Sequence, residues 1–339
     1  MNRSELTIDL RALRANARTL LQRIAPAELW AVVKANGYGH GARDVARAAL
    51  EAGATVLCTA TVQEALALRP GFPDARLLVL GPASAEEVPQ AREAKLELVV
   101  SDGAPPPGVS VHLKLDTGMG RWGLSEVPRL DGGVVGLMSH LASADCDPAF
   151  TERQIERFRS ATANYGGLIR HLANSAGALR YPAARFDAAR CGIALYGLSP
   201  FDDDPGTHGL RPVLGWRSHL AQVRLLPPGE GTGYGLRFVA ERPTWIGIVP
   251  VGYADGFRRD LTGTKVRVGE ELRTVVGTVS MDAFAVELER ELRVGTPVVL
   301  VGEGVPLEAH ARVAGTITYE LACALDRGET RVSRAVVDA

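Results

Sequence analysis

The apolar positions of this chain fall into two textures. Up to about residue 194, short runs of Val, Leu, Ile and Ala recur with helical patterns between most of them. The runs are Leu29–Ala35, Thr55–Ala60, Arg76–Gly81, Leu96–Ser101, Val109–Asp116, Val134–Leu141, Leu168–Ala173 and Phe186–Ala194. The intervening segments Gly41–Leu50 and Thr151–Phe158 have the spacing of amphipathic helices. Ahead of them, Glu5–Leu10 reads as a short strand leading into a helix over Asp9 to Ile24. Strands alternating with helices in this way predict a (β/α)8, TIM-like barrel. An open doubly wound sheet competes, but it usually shows a Gly-rich fingerprint after its first strand, and none follows here.

After about residue 208 the helical patterns give way to short Val/Thr/Leu/Ile runs broken by Gly and Pro. These are Leu220–Leu226, Thr244–Val251, Lys265–Val268, Leu272–Val279, Ala283–Leu288 and Pro297–Val301. They predict a mainly β second domain. The polar segment Asp202–Gly209 is the natural boundary loop. The expected class is therefore α/β plus all-β, with a barrel over residues 1–208 and a mainly β domain over 209–339.

Composition narrows the picture without changing it. The 339 residues suffice for two domains, and 46% hydrophobic with 23% charged residues is ordinary for a globular chain. A formal net charge of −1 leaves no electrostatic footprint for nucleic acid or an anionic membrane. The opening Met1–Leu6 lacks the apolar core of a signal peptide, and no apolar run is long enough to span a bilayer. The four cysteines, at 58, 146, 191 and 323, form no Cys-x-x-Cys and read as reduced thiols of a cytoplasmic enzyme.

The candidate chemistry starts at Lys34, in Ala31-Val-Val-Lys-Ala-Asn-Gly-Tyr-Gly-His-Gly. The chain has only four lysines, at 34, 95, 114 and 265. A lysine at the end of a strand can be tuned toward its neutral, nucleophilic form and can bind an aldehyde cofactor; arginine cannot. It can equally snorkel its head group past the strand end. The run alone leaves both readings open. Barrel active sites lie at the carboxyl ends of the strands. Lys34 falls at the first such end. Lys114, Asp116 and Arg121 lie at or just after the fifth, His140 at the sixth, His171, Asn174 and Ser175 at the seventh, and Arg190, Gly192 and Ile193 at the eighth. Each alone fits a cap or a satisfied core group, but together they point to one polar face. Ser175 and the amides near Gly192 and Ile193 suit phosphate oxygens. Arg190 only donates, and opposite a pyridine nitrogen it would discourage ring protonation. Arg121 could steady a phenolate or a substrate carboxylate. Lys114 also fits an ion pair with Asp116.

These motifs resemble the alanine racemases in unbroken order along nearly the whole chain. The resemblance implies pyridoxal 5'-phosphate bound covalently at Lys34, with phosphate contacts from Tyr38, Ser175, Gly192, Ile193 and Tyr319. It places Arg121 on the cofactor phenolate and Arg190 on the pyridine nitrogen. His140 links Arg190 to the second base, and Lys114 matches a lysine that is often carbamylated and holds the arginine matching Arg121. In the second domain, Gly233-Tyr-Gly makes Tyr234 the base opposite Lys34. Tyr253 lies at the substrate entrance, with Met281 and Asp282 beside the substrate. The family usually has arginine where this chain has Thr278, before Val-Ser-Met-Asp. The implied activity is interconversion of L- and D-alanine, supplying D-alanine for peptidoglycan, by a homodimer with composite sites. The rivals are a pyridoxal-phosphate decarboxylase of the same fold, a racemase of another small amino acid such as serine, and a non-catalytic cofactor-binding protein. A barrel metallohydrolase, prompted by His140 and His171, lacks the usual ligand cluster, so no metal is expected.

Overall fold

The computed structural model describes residues 3–130, 133–325, 328 and 330–338. It divides into two compact units, Ala12–Arg211 and the described residues of Met1–Arg11 with Pro212–Ala339. The first strand, β1 (Glu5–Asp9), falls in the second of these. The division expected at residue 208 places that strand with the barrel. Its hydrogen bonds place it in the β unit instead, because it pairs with strands far along the chain.

The Ala12–Arg211 unit is a closed eight-stranded barrel. Its strands are β2 (Glu28–Val32), β3 (Val56–Thr59), β4 (Arg76–Val79) and β5 (Glu97–Val100). They continue as β6 (Ser110–Lys114), β7 (Val134–Met138), β8 (Ile169–His171) and β9 (Ala188–Cys191). Each pairs in parallel with the next, and β9 closes on β2 through Trp30↔Arg190 and its neighbours. All eight coincide with the runs read from the sequence. They are near-continuous apolar segments because a parallel strand is covered on both faces. Leu10–Ile24 is an amphipathic helix, and Leu13, Ala17, Leu20 and Ile24 on one side are fully buried. Val62–Leu68 starts on a capping box: Thr61 accepts from the Glu64 amide, and the Glu64 side chain accepts from the Thr61 amide.

The other unit is built on a nine-stranded sheet. After β1 its strands are β10 (Leu214–His219), β11 (Gln222–Leu226), β12 (Gly231–Thr232), β13 (Phe238–Val239) and β14 (Thr244–Val249). Then come β15 (Lys265–Val268), β16 (Glu271–Val276), β17 (Phe284–Leu288), β18 (Pro297–Val301) and β19 (Ser333–Val337). The sheet order is β11-β14-β17-β16-β15-β18-β10-β1-β19, with β12 and β13 forming a separate hairpin. Among the described residues, only the β1–β19 pairing is parallel within the sheet. Phe257 stacks on Phe284 at 4.3 Å in its core. Among the described residues, no helix is long and apolar enough to cross a membrane.

Candidate active site

The barrel gathers its unusual polar residues at the carboxyl ends of its strands. Strand β2 stops at Val32, so Lys34 does not end the strand as expected. It opens a left-handed turn: Ala35, Asn36 and Gly37 have φ of 51°, 48° and 63°, and Tyr38 has φ of 52°. Three non-glycine residues within four left-handed positions are costly, so other groups must hold them. Glu64 Oε1 accepts from the Ala35 amide at 2.8 Å, and Asn36 Oδ1 accepts from the Ala42 amide at 2.8 Å. The other Glu64 oxygen takes the Ala60 amide at 2.7 Å. Glu64 therefore ties the backbone next to Lys34 to the start of a helix. Sequence reasoning missed it, although its capping-box spacing from Thr61 was a visible signal.

Around the mouth, Ser175 Oγ accepts from the amides of Gly192 and Ala194 at 3.0 and 3.3 Å. Gly192 is a glycine by necessity, because a Cβ there would meet the Tyr38 hydroxyl at 2.5 Å. The Ser175 and Tyr38 hydroxyls and these amides therefore converge, with Ile193 buried beside them. Asn174 caps the helix Ser175–Arg180, its side chain accepting from the Gly177 amide.

Arg190 is 3% exposed. Its Nη1 donates to the carbonyl of His171 at 2.8 Å, and its Nη2 donates to those of Ser139 and Leu172 at 2.8 and 3.1 Å. It also meets Nδ1 of His171 at 2.7 Å and Nδ1 of His140 at 3.3 Å. Burial lowers its pKa to about 10, which leaves it a cation at neutral pH. His140 is held well below the ordinary imidazole pKa, by burial first and then by Arg190, Lys114, Arg121 and Lys34. Those four cations thus lie within electrostatic reach of one imidazole.

Lys114 is 4% exposed, and its pKa falls to about 8 through burial and the neighbouring Arg121 and Arg190. The alternative pairing with Asp116 is not formed. Asp116 spends its carboxylate on the amides of Gly118, Met119 and Gly120. Lys114 and Arg121 instead lie over the Trp122 ring, at 5.4 and 5.0 Å.

In the β unit, Tyr234 sits between the two-residue strands β12 and β13 and is 74% exposed. Its flanking Gly233 and Gly235 have φ of 78° and 72°, which explains the glycine frame. Thr278 Oγ1 donates to the Tyr234 carbonyl at 2.9 Å. The residue that departs from the family pattern thus anchors the tyrosine's own backbone. Tyr253 and Met281 lie on adjoining loops joined by Tyr253 N to Ser280 O and Ala254 N to Met281 O. Gly252 permits this closeness, because a Cβ there would meet Ser280 O at 2.3 Å. Fully buried Asp255 accepts from Arg3 and Arg331, and Arg331 also donates to Asp282 at 2.7 Å. Tyr319 lies in the short helix Thr318–Cys323. Among the described residues, no group of three or more His, Cys, Asp or Glu is placed to hold a metal ion.

Comparison with known proteins defines the class. Residues 8–200 match the N-terminal domain family of alanine racemase, and residues 213–336 match its C-terminal domain family. The chain is 41% identical to the alanine racemase of Streptomyces coelicolor over 99% of this chain and 96% of that one. It is 38% identical to that of Lactiplantibacillus plantarum, over 99% and 98%. The solved biosynthetic alanine racemase of Pseudomonas aeruginosa superposes with a TM-score of 0.91 at 37% identity, covering 100% of both chains. The protein is thus an enzyme of the racemase class, a barrel-plus-β isomerase. The chain belongs to the alanine racemase family.

Proposed function

We propose that this chain interconverts L- and D-alanine with bound pyridoxal 5'-phosphate, using Lys34 and Tyr234 as bases on opposite faces of the substrate. The observation that carries this reading is the barrel mouth, where a cradle of hydroxyls and backbone amides and a buried arginine that is charged at neutral pH accompany Lys34. The Ser175 and Tyr38 hydroxyls and the Gly192–Ala194 backbone are phosphate-type donors, and Gly192 leaves the room that a Cβ would fill. Ile193 belongs to that backbone and Tyr319 supplies a further contact. Arg190 suits a ring nitrogen that stays unprotonated, and Arg121 suits the ring oxygen or the substrate carboxylate. When bound, the cofactor serves as the electron sink that acidifies the substrate Cα–H.

The chain's own residues then supply the proton traffic. Lys34 holds or takes the proton on one face, and Tyr234 serves the other. His140, kept neutral by burial and its cationic neighbours, connects Arg190 toward the tyrosine base. Lys114 is partly neutral near pH 8, the state that adds CO2 to form a carbamate anion beside Arg121. Tyr253, Met281 and Asp282 border the substrate's path. An arginine at the ring nitrogen disfavours the decarboxylase alternative, which calls for a protonated ring. Exposed Tyr234, Leu236, Tyr253 and Met281 support a homodimer in which each β unit completes its partner's barrel, and the cytoplasm is the compartment proposed for it from the family resemblance.

Complementation tests the reading. Lys34→Ala and Tyr234→Phe homodimers should each lose about 10²-fold or more of racemisation. In a mixed dimer one site carries both lesions and the other carries neither. Verified heterodimers should recover up to about half the wild-type rate, because a two-fold dimer has two equivalent sites. No recovery would show that the two bases act within one chain, or that Tyr234 is not the second base.

A further inference from the structure

Layers of branched apolar side chains normally fill a (β/α)8 barrel. Here a column of polar groups crosses five strands. Arg76 on β4 donates to both oxygens of Glu97 on β5, at 2.7 and 3.0 Å. Glu97 Oε2 lies 2.9 Å from Nε2 of His112 on β6. His112 Nδ1 lies 2.9 Å from Nε2 of His171 on β8. His171 Nδ1 lies 2.7 Å from Arg190 Nη1 on β9. Strand β7 makes way for the column, because a Cβ on Gly136 would lie 2.2 Å from His112 Nδ1. Trp30 of β2 packs on both imidazoles, its ring centre 5.6 Å from that of His112 and 4.4 Å from that of His171.

Every hydrogen bond in this column has a forced direction. A guanidinium only donates, so His171 Nδ1 accepts. His171 must then carry its proton on Nε2 and donate to His112 Nδ1. By the same step His112 donates from Nε2 to Glu97, whose carboxylate only accepts. Burial lowers the pKa of both histidines, which keeps them neutral. Burial alone would raise Glu97, but its hydrogen bonds from His112 and Arg76 outweigh that and hold it at about 2. Turning either imidazole over would set donor against donor or acceptor against acceptor, at the cost of a buried unpaired group.

The five hydrogen bonds of Arg190 all end on neutral acceptors. The nearest carboxylate along its bonded path is Glu97. We propose that Glu97, acting through His112 and His171, is a positioning residue that orders the hydrogen bonds aiming the Arg190 guanidinium. This inference rests on the reading of Arg190 as the group facing the cofactor ring nitrogen. A misaimed Arg190 leaves that nitrogen open to protonation. Side transamination then gains on racemisation: alanine leaves as pyruvate and the cofactor keeps its amino group.

The test combines side-chain ¹⁵N NMR of histidine-labelled protein, with and without added pyridoxal phosphate, and the ratio of pyruvate formed to alanine racemised. In the wild type, His112 and His171 should both show the neutral Nε2–H tautomer and not titrate between about pH 6 and pH 9. Glu97→Leu should leave the His112 Nε2–H without its acceptor, moving that nitrogen's signal, and raise the pyruvate ratio about tenfold, the effect of one lost hydrogen bond to a charged group. Glu97→Gln keeps an acceptor oxygen and should restore both. His112→Phe cuts the same path at similar volume and should match Glu97→Leu in the ratio. Thus two independent lesions report if one variant fails to fold. A protonated or Nδ1–H imidazole in the wild type, or an unchanged ratio in the folded variants, would overturn the proposal. A wild-type protein that neither binds the cofactor nor racemises alanine would instead sink the reading of the site, and the tautomers would still be measured without cofactor.

Discussion

The candidate residues of the two units differ in character. In the barrel, Lys114, Ser175, Arg190, Gly192 and Ile193 are buried, and hydrogen bonds within the barrel hold Ser175, Gly192 and Arg190. In the β unit, Tyr234, Tyr253 and Met281 stand exposed on loops and a minimal hairpin. The difference teaches where preorganisation resides. The barrel meets the cost of ordering charges when it folds, which suits it to holding a polar ligand rigidly. The β unit instead presents its aromatic candidate, Tyr234, on an exposed hairpin, where the proposed partner would have to complete its surroundings.

The sharpest way to break this contrast is to remove the central barrel group. Lys34→Ala should abolish the absorbance of covalently held cofactor and lower racemisation by about 10²-fold or more. Lys114→Ala, from the same wall, should keep the covalent cofactor. Borohydride-reducible cofactor at another lysine in Lys34→Ala would defeat the assignment.

Next comes the strained backbone beside that lysine. Glu64→Leu strips an acceptor from the Ala35, Ala60 and Thr61 amides. It should cost about 1–2 kcal/mol of stability and weaken cofactor binding several-fold. Equal melting temperatures and equal cofactor affinity would mean the left-handed turn holds itself.

Lys114 gives the pH arm. With a folded pKa of about 8 against an ordinary 10.5, the unfolded chain binds more protons between those values. In CO2-free buffer, stability should therefore rise with pH across that window, and Lys114→Met should flatten the rise. At fixed dissolved CO2, a ¹³C carbamate signal should grow as pH climbs through about 8, since only the neutral amine adds CO2. A signal that ignores pH, or survives in Lys114→Met, would rule out carbamylation there.

The smallest effect is expected in the β unit. Thr278→Val deletes the hydrogen bond to the Tyr234 carbonyl. It should lower kcat about fivefold, matching roughly 1 kcal/mol, and leave cofactor affinity unchanged. A change in cofactor affinity instead would show that the two units are less independent than their chemistry suggests.

Much of this was legible in the sequence, for physical reasons that differ by element. The eight barrel strands showed because burial on both faces demands continuous apolar runs. Lys265–Val268 matches its expected bounds through its alternation of exposed and buried positions, and Pro297–Val301 through a near-continuous apolar run. The strand Leu214–His219 escaped, since Gly215, Arg217 and His219 dilute its pattern. The partner of β1 was invisible because pairing is a tertiary choice. The left-handed turn after Val33 has no residue-type marker at Ala35, whose φ is imposed by Glu64 and its neighbours. Glu97 and His112 were discoverable, being ionisable residues inside apolar strands. Only the register of β5, β6 and β8 shows that they join His171.

The position of β1 sets a timetable for synthesis. Its partners β10 and β19 lie more than 200 residues further along the chain. Everything the barrel needs emerges from the ribosome before either of them does. The nascent chain can therefore close its barrel while the first strand waits unpaired, its backbone amides and carbonyls exposed. At about 5–20 residues per second, that wait lasts some 10–40 seconds. During it, strand β1 is an open edge in a crowded cell. Its alternation of Glu5, Thr7 and Asp9 with Leu6 and Ile8 leaves a charged or polar group at every second position. A strand so patterned can wait without recruiting the wrong neighbour.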